Sequence, residues 1–349
     1  MERLLKSEKW ANLPMRPGFG SFMHPTEEKL QLIKQLGVDE IILNMSRNNL
    51  IDTDFDSLPL PGDHQWEFKD LLMLRNTVEN GGIRLLALEN MPFSFYDKLM
   101  MGQAGRAEQL KHVQETISNM GRAGIPVLGY GWTPTGVWRS STTFRTRGGA
   151  QSMSVDLKDF KNAPLSHGRV YSEEEMWEYY QYFLEGVLPV AEEAGVTLAL
   201  HPNDPPVPSL AGVPQLFRSF EAYKKGMDLV KSENHGLQYC LGNFSAMGAD
   251  IDEVTEYFGK QDKLVYVHFQ TISNAISDTQ PGFNEVFVDM PGYYNPVTVL
   301  KKLKEVGFKG MIMPGHVPKI IGDESWEERG RSFTIGYIKG IIATLTQIQ

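Results

Sequence analysis

The stretch TLALHPNDPPVP (197–208), followed by SFEAYKKGMDLVKSENHG (219–236) and LQYCLGNF (237–244), sets the pattern of the whole chain. An apolar run, an amphipathic stretch with helical spacing and a second apolar run form one strand–helix–strand unit, which is typical of a parallel sheet. Both apolar runs carry a side chain that can bind a metal ion at the strand end, His201 and Cys240. The unit therefore predicts a parallel sheet with a functional site at the carboxyl ends of its strands.

The same alternation continues on both sides of this unit. Eight strand segments are each followed by a helical pattern: PGFGSF (17–22), DEIILN (39–44), RLLALEN (84–90), PVLGYGW (126–132), TLALHP (197–202), LQYCLGNF (237–244), LVYVHFQTI (264–272) and GMIMPGHV (310–317). Eight such units predict an α/β protein with a closed (β/α)8 TIM barrel. An open doubly wound sheet would give the same local pattern, but no glycine-rich phosphate turn follows the first strand.

Glycines and loop lengths agree with the barrel. Six glycines just before the next strand are expected to end helices in a left-handed conformation: Gly37, Gly81, Gly124, Gly195, Gly236 and Gly307. About a hundred residues exceed a minimal barrel of about 250, and they follow strands, at 46–66, 133–172, 203–218 and 271–296. Insertions at this end of a barrel build the walls of an active site, so residues 1–349 are expected to form a single domain.

Composition excludes several classes of protein. Of 349 residues, 41% are hydrophobic and 22% charged, which is typical of a globular enzyme. The net charge of -9 argues against nucleic acid or an acidic membrane surface as a partner. No apolar run is long enough to span a bilayer and the first residues are charged, so a cytoplasmic location is expected. One cysteine cannot form an internal disulfide bond.

Histidines and the lone cysteine recur at predicted strand ends. His201, Cys240, His268 and His316 all lie where neighbouring barrel strands would converge on one pocket. Imidazole and thiolate ligands suit Zn²⁺, Mn²⁺, Fe²⁺ or Co²⁺ better than Mg²⁺. The alternative is that each is an ordinary buried residue, which is the commoner fate of a single cysteine or histidine.

Other polar and aromatic residues stand near the same strand ends. Glu89 and Tyr130 end the third and fourth strands and are candidate acid or base residues, and Trp132 beside them is a candidate substrate-binding residue. Asn203 and Asp204 follow His201 in a proline-rich turn that would hold them over the pocket. The alternative for that turn is a rigid connection with surface polar groups.

The loop after the fourth strand is rich in arginine. Arg139, Arg145 and Arg147 lie in it beside Trp138. Guanidinium groups bind carboxylates in a bidentate way, so this loop is the predicted holder of an acidic substrate through Arg139 and Arg145. For any single arginine, a solvated surface position is the simpler interpretation.

Several stretches together resemble the D-mannonate dehydratase family. They are LALENMPF (86–93), YGWTPTGVWRSS (130–141), LALHPNDPP (198–206), YCLG (239–242), VHF (267–269), MPGH (313–316) and the later GD (322–323), with Arg331 in the last helix. The resemblance spans nearly the whole chain. It implies a barrel of the xylose-isomerase-like kind, a divalent metal that is typically Mn²⁺, a homo-oligomer, and loss of water from a six-carbon sugar acid in hexuronate metabolism.

By position, the resemblance makes His201, Cys240 and His268 metal ligands and His316 an acid or base. Two departures stand out. Gly315 replaces an aspartate that is a metal ligand in the family, and Gln270 replaces an arginine. The expected activity is that of a sugar-acid dehydratase giving a 2-keto-3-deoxy acid. A metal-dependent sugar or uronate isomerase or epimerase is the alternative, and a binding protein that has lost its metal is the third interpretation.

Overall fold

The computed structural model describes residues 14–45, 59–62, 64–324 and 326–347. The strands are β1 (Arg16–Pro17), β2 (Phe19–Phe22), β3 (Glu40–Asn44), β4 (Arg84–Glu89), β5 (Val127–Gly131), β6 (Ser141–Arg145), β7 (Gln151–Asp156), β8 (Thr197–His201), β9 (Ser209–Leu210), β10 (Val213–Pro214), β11 (His235–Cys240), β12 (Leu264–Phe269), β13 (Thr271–Ile272), β14 (Gly282–Val286) and β15 (Met311–Pro314). The helices are α1 (Glu27–Gln35), α2 (Phe68–Asn80), α3 (Asp97–Met100), α4 (Arg106–Ala123), α5 (Glu173–Ala194), α6 (Phe220–Leu229), α7 (Leu241–Ala246), α8 (Ile251–Gly259), α9 (Pro296–Glu305) and α10 (Glu328–Gln347).

The main sheet is a parallel barrel, as the sequence predicts. Its strand order is β1-β15-β12-β11-β8-β5-β4-β3-β2. β1 and β2 are two halves of one barrel strand separated by Gly18; the first half pairs with β15 and the second with β3. A Cβ atom at Gly18 would overlap the Met311 side chain, so glycine leaves the space that Met311 fills where the barrel closes.

Apolar side chains fill two separate layers. The barrel interior holds a cluster contributed by strands alone: Ile42, Leu86, Ala87, Val127, Ala199, Val265, Tyr266, Met311 and Met313. The larger cluster lies between the outer faces of the strands and the helices. Strand β12 contributes to both clusters, with Val265 and Tyr266 in the first and Leu264 and Val267 in the second. Such burial on both faces explains why the strands read as continuous apolar runs.

The helix ends agree in part with the glycine prediction. Gly37, Gly124, Gly195 and Gly307 have positive φ, as expected after a helix. Gly81 does not; the next residue, Gly82, takes the left-handed conformation instead. Gly236 is a wrong prediction, because it lies inside β11 after a helix that already ends at Leu229. The strand begins two residues before the Leu237 at which its apolar pattern starts.

Two of the predicted insertions pair with each other. Strands β6 and β7 from residues 133–172 join β13 and β14 from residues 271–296 in an antiparallel sheet of order β13-β14-β7-β6. The insertion 203–218 contains the small β9–β10 hairpin. Most of the insertion 46–66 lies outside the described residues. Among the helices that the structure describes, none combines the length and apolar character needed to cross a membrane.

Candidate metal centre and active site

Three predicted ligands meet at the carboxyl ends of adjacent strands. His201 ends β8, Cys240 ends β11 and His268 lies in β12, and Cys240 and His268 are direct partners in the parallel ladder. One possible ligand atom from each residue lies within 4.8 Å of the other two. Residues far apart in sequence are therefore neighbours because β8, β11 and β12 are consecutive in the barrel.

The protonation of His201 and the burial of Cys240 suit cation binding. The Nδ1–H of His201 donates to the carbonyl of Pro202 at 2.8 Å, which leaves the Nε2 lone pair available. Burial, with the nearby His268, lowers the pKa of His201 to about 4, so the ring is neutral at neutral pH. Burial raises the pKa of Cys240 to about 12, so the thiol loses its proton only when a cation stabilises the thiolate.

The arrangement fits a divalent ion. Two imidazoles and a thiolate are a ligand set for Zn²⁺, Mn²⁺, Fe²⁺ or Co²⁺. Atoms that share one ion at about 2.0–2.3 Å lie roughly 3–4 Å apart, so the trio needs only small shifts to bind one. Three protein ligands leave positions open, which is the arrangement of a catalytic rather than a structural site.

Glu89 lies behind this trio, fully buried, and does not line the cavity. Its Oε2 accepts hydrogen bonds from His268 Nε2 at 2.9 Å, Gln238 Nε2 at 2.9 Å and the Tyr266 hydroxyl at 3.0 Å, and its Oε1 accepts one from Ser21. Burial opposes ionisation, but His268 and these donors outweigh it and hold the pKa of Glu89 below its ordinary value. The predicted catalytic role of Glu89 is therefore corrected: it orients His268, as the carboxylate partners of metal-binding histidines do.

His316 lies on the cavity wall beside the trio. Its Nδ1–H donates to Glu285 Oε1 at 2.9 Å, and its side chain is 25% exposed while that of Glu285 is 1% exposed. Burial works against the charged ring, yet Glu285 raises the pKa of His316 above its ordinary value. An oriented histidine with an accessible edge and a shifted pKa is an arrangement suited to proton transfer.

Arg139 is a structural ion pair rather than a substrate clamp. Its guanidinium binds Asp204 in a bidentate way, at 2.7 Å and 2.6 Å, and lies 3.3 Å from Glu285 Oε1. All three side chains are at most 4% exposed. Asp204 does line the cavity, as predicted, but its carboxylate is already paired. The predicted carboxylate-binding role of Arg139 is therefore corrected.

Tyr130 and Trp132 belong to the aromatic core. The Tyr130 hydroxyl lies 2.9 Å from that of Tyr180 and 3.0 Å from His235 Nε2, and burial raises its pKa well above the ordinary value. Trp132 is 1% exposed and packs against Phe183 and Tyr180. Neither side chain lines the cavity, so the predicted catalytic and substrate-binding roles of these two residues are corrected.

Asn203 and Arg145 also lie away from the cavity. The amide of Asn203 is fully buried, donates to the Trp132 carbonyl and to Gln215, and accepts from the Phe217 amide. These hydrogen bonds of Asn203 hold the proline-rich turn in place. Arg145 is exposed on β6 and donates to a carbonyl of its own hairpin. The sequence placed these residues near the strand ends correctly but could not show where their side chains point.

The cavity between the strand ends is polar. Its polar and charged lining consists of Ser21, Asn44, Asn90, His201, Asp204, Gln238, Cys240, His268, Gln270, His316 and Arg331. The Arg331 Nη1 group donates to the carbonyls of Gly20, Pro314 and Gly315. Both Arg331 and Arg139 thus stabilise the walls of the site.

Glu285 is the functional residue that sequence reasoning missed. It lies on β14, inside an insertion, and meets His316 and Arg139 only because that insertion folds back over the barrel. The signal was a glutamate between the buried residues Phe283 and Val286, comparable with Glu89 in its apolar strand. A charged residue within an apolar strand requires a partner, but the sequence does not name that partner.

Known proteins of similar sequence point to one family. A family model for D-mannonate dehydratase matches residues 19–167 and 154–349. A mannonate dehydratase of Streptococcus equi subsp. zooepidemicus is 28% identical over 293 residues, covering 76% of this chain and 79% of that one. One from Thermotoga maritima is 27% identical over 321 residues, covering 81% of this chain and 87% of that one.

Solved structures agree on the fold. A mannonate dehydratase from Streptococcus suis serotype 2 has a TM-score of 0.82 at 24% identity and covers 97% of this chain and 96% of its own. A D-psicose 3-epimerase from Clostridium cellulolyticum H10 has a TM-score of 0.61 at 12% identity and covers 94% of this chain and 99% of its own. With both halves of the chain matched by one family model, the chain belongs to the D-mannonate dehydratase family.

Proposed function

We propose that this protein is a metal-dependent sugar-acid dehydratase that converts an aldonate such as D-mannonate into a 2-keto-3-deoxy acid and water. The observation that carries the proposal is the meeting of His201, Cys240 and His268 with the oriented His316 in one polar cavity. Family membership supplies the substrate class.

His201, Cys240 and His268 would hold the ion, which we propose to be Mn²⁺, with Zn²⁺, Fe²⁺ and Co²⁺ as possible substitutes. A bound divalent ion supplies Lewis-acid stabilisation of negative charge on substrate oxygens. Glu89 keeps the His268 ring in place by accepting its Nε2–H. The buried thiol of Cys240 makes binding pH-dependent, because a proton must leave with each ion that binds.

His316 would carry the proton transfers. As a neutral imidazole it accepts the proton from C2 of the sugar acid, and the imidazolium gives that proton to the hydroxyl leaving C3. The bonds C2–H and C3–O break, water leaves, and the resulting enol becomes the 2-keto acid. Glu285 positions the ring and raises its pKa, which strengthens it as a base.

The test is product formation from defined substrates. Purified protein is incubated with D-mannonate and other hexonates in the presence of Mn²⁺, Zn²⁺, Co²⁺ or Mg²⁺, and 2-keto-3-deoxy acid is measured with a thiobarbiturate reaction. We expect a product with at least one hexonate, and its loss after chelation. Metal-loaded protein that dehydrates no hexonate would contradict the proposal.

Two variants separate metal binding from proton transfer. Cys240→Ser should weaken metal binding and activity while the fold is kept, because a neutral hydroxyl replaces a thiolate ligand. His316→Asn should lower turnover by roughly 100-fold or more with metal occupancy unchanged. Loss of the ion in His316→Asn would instead make His316 a metal ligand.

An isomerase or epimerase acting on a neutral sugar is the second candidate. It is favoured by the commitment of Arg139 and Arg331 to internal partners, since neither cation offers a ready clamp for a substrate carboxylate. Sugar isomers detected by chromatography without 2-keto-3-deoxy product would support it. A binding protein without metal, the third interpretation, predicts less than about a tenth of an equivalent of bound metal after reconstitution.

Three further predictions concern the whole protein. The single-domain organisation of residues 1–349, a homo-oligomeric state and a cytoplasmic location stay predictions. Size-exclusion chromatography with light scattering measures the oligomeric state directly.

A further inference from the structure

Gln270 fills the space beside the glycine that distinguishes this site. A Cβ atom at Gly315 would lie 3.0 Å from Gln270 Oε1, 3.1 Å from Gln270 Cβ and 3.4 Å from His268 Cβ. The Gln270 side chain is 3% exposed and lines the same cavity as the three predicted ligands. The side chain missing from Gly315 is thus replaced in space by an amide from the neighbouring strand end.

The orientation of that amide is fixed by two partners. Its Nε2 donates to Glu285 Oε1 at 3.3 Å, and its Oε1 accepts the backbone N–H of His316 at 3.3 Å. A carboxylate can only accept from the amide and a backbone N–H can only donate to it, so both contacts require the same assignment of oxygen and nitrogen. The same oxygen also accepts from the Cys240 thiol, so it is directed toward a predicted metal ligand.

The oxygen also stands at the spacing of a ligand. Gln270 Oε1 lies 3.8 Å from Cys240 Sγ. Two ligand atoms bound to one ion at about 2.0–2.3 Å lie roughly 3–4 Å apart. Cys240 is also within 4.8 Å of the ligand atoms of His201 and His268, so the amide oxygen lies next to a member of the trio.

We propose that Gln270 Oε1 is the fourth protein ligand of the metal centre. The inference rests on the proposed metal-dependent function and deepens it. The thiolate of Cys240 is then the sole negatively charged protein ligand, so a divalent ion keeps a net charge of about +1. Amide oxygen is a hard ligand that suits Mn²⁺ better than a second thiolate would. The remaining positive charge would draw an anionic substrate into a cavity whose arginines are already paired.

The first experiment measures metal affinity without any substrate. Gln270→Ala should bind Mn²⁺ and Co²⁺ roughly 10- to 100-fold more weakly than wild type in a competition with a chromogenic chelator. The visible absorption bands of the Co²⁺ protein should shift, because a ligand is lost. The matched control is Gln261→Ala, which truncates an exposed glutamine that donates to the Tyr257 carbonyl and should change neither reading.

The second experiment exploits the contact with Gly315. Gly315→Asp alone should be crowded, because its Cβ would lie 3.0 Å from Gln270 Oε1, a contact that Gln270→Ala removes. In the double variant Gly315→Asp and Gln270→Ala, the new carboxylate occupies the space left by the amide. We expect it to bind metal more tightly than Gln270→Ala, a non-additive rescue.

The possible outcomes test the role of Gln270 separately from the proposed dehydratase function. Wild-type protein that binds metal and a Gln270→Ala variant with unchanged affinity and unchanged Co²⁺ spectrum would overturn the role of Gln270 and leave the dehydratase proposal standing. Wild-type protein that binds no divalent ion would overturn both. Circular dichroism and unfolding of Gln270→Ala identify any loss of affinity that comes from misfolding.

Discussion

The two ends of the barrel each carry a cluster of arginines and carboxylates, and the two clusters differ in burial and in how their charges are paired. At the amino ends of β1, β3 and β4, Glu40 lies between Arg16 and Arg84, whose side chains are 16% and 39% exposed. At the carboxyl ends, Arg139 lies between Asp204 and Glu285, and none of these three side chains exceeds 4% exposure. One carboxylate serves two cations at the first end, and one cation serves two carboxylates at the second.

The difference shows what burial demands of a charge. Arg16 and Arg84 keep contact with water, and burial lowers the pKa of Arg16 to about 10 without neutralising it near pH 7. In the carboxyl-end cluster every charge depends on its partners. Burial opposes ionisation of Asp204, but Arg139 outweighs it and holds the pKa of Asp204 below its ordinary value. Removing one charged partner should therefore lower the free energy of unfolding more at the carboxyl end than at the amino end.

The largest effect is expected from Arg139→Met. It leaves Asp204 buried without its paired cation and Glu285 with only His316, which should lower the free energy of unfolding by about 3–5 kcal/mol. Urea denaturation at pH 7 measures it. The matched control is Arg145→Met on exposed β6, where a change within about 0.5 kcal/mol is expected. Equal losses in the two variants would remove the distinction between a buried pair and a surface arginine.

A smaller loss is expected from Glu40→Gln at the amino end. It removes charge-assisted hydrogen bonds from Arg16 and Arg84, but both arginines remain partly hydrated. The expected loss is about 1.5–3 kcal/mol, less than that of Arg139→Met under the same conditions. If Glu40→Gln lowered the free energy of unfolding more than Arg139→Met, the difference in burial would not explain the relative stability of the two clusters.

Acid should affect the carboxyl end in a predictable direction. The pKa of Asp204 is lower in the folded state than in the unfolded state, so the unfolded chain binds more protons as pH falls. The stabilisation is present above the ordinary carboxylate pKa and is lost as pH decreases through the folded value. In Asp204→Asn, the decrease of unfolding free energy from pH 5 towards pH 3 should be shallower by up to about 1.4 kcal/mol per pH unit. Unchanged steepness would assign the acid sensitivity to other groups.

The smallest effect is expected from Arg84→Met. The side chain is 39% exposed and Glu40 keeps Arg16, at 2.5 Å, as a partner. We expect a loss of about 0–1 kcal/mol, and a weaker effect in high salt, since exposed pairs are screened. Thermal unfolding at low and high ionic strength tests it. A loss as large as that of Glu40→Gln would show that the two arginines act as one unit.

The sequence predicted most where an apolar strand pattern ends in a residue that can bind a metal ion. Apolar runs ending in His201, Cys240 and His268 predicted a barrel and the convergence of those side chains, because parallel strands of similar length end at one edge. It failed for Arg139, Tyr130 and Asn203, each of which lies near the correct strand end. Their side chains bond to Asp204, Tyr180 and Gln215, which lie 65, 50 and 12 residues away in sequence.

What the sequence by itself determined is the periodic order of strands and helices, the barrel and the identity of three candidate ligands, since each follows from short-range spacing. Only the tertiary structure decided the direction of each polar side chain near them. Glu285 reaches His316 and Arg139 through the pairing of two insertions, and Gln270 turns its oxygen toward Cys240 because Gly315 leaves room and Glu285 holds its nitrogen. Such contacts join residues that no local pattern connects, and buried polar groups take whichever partners the folded chain supplies.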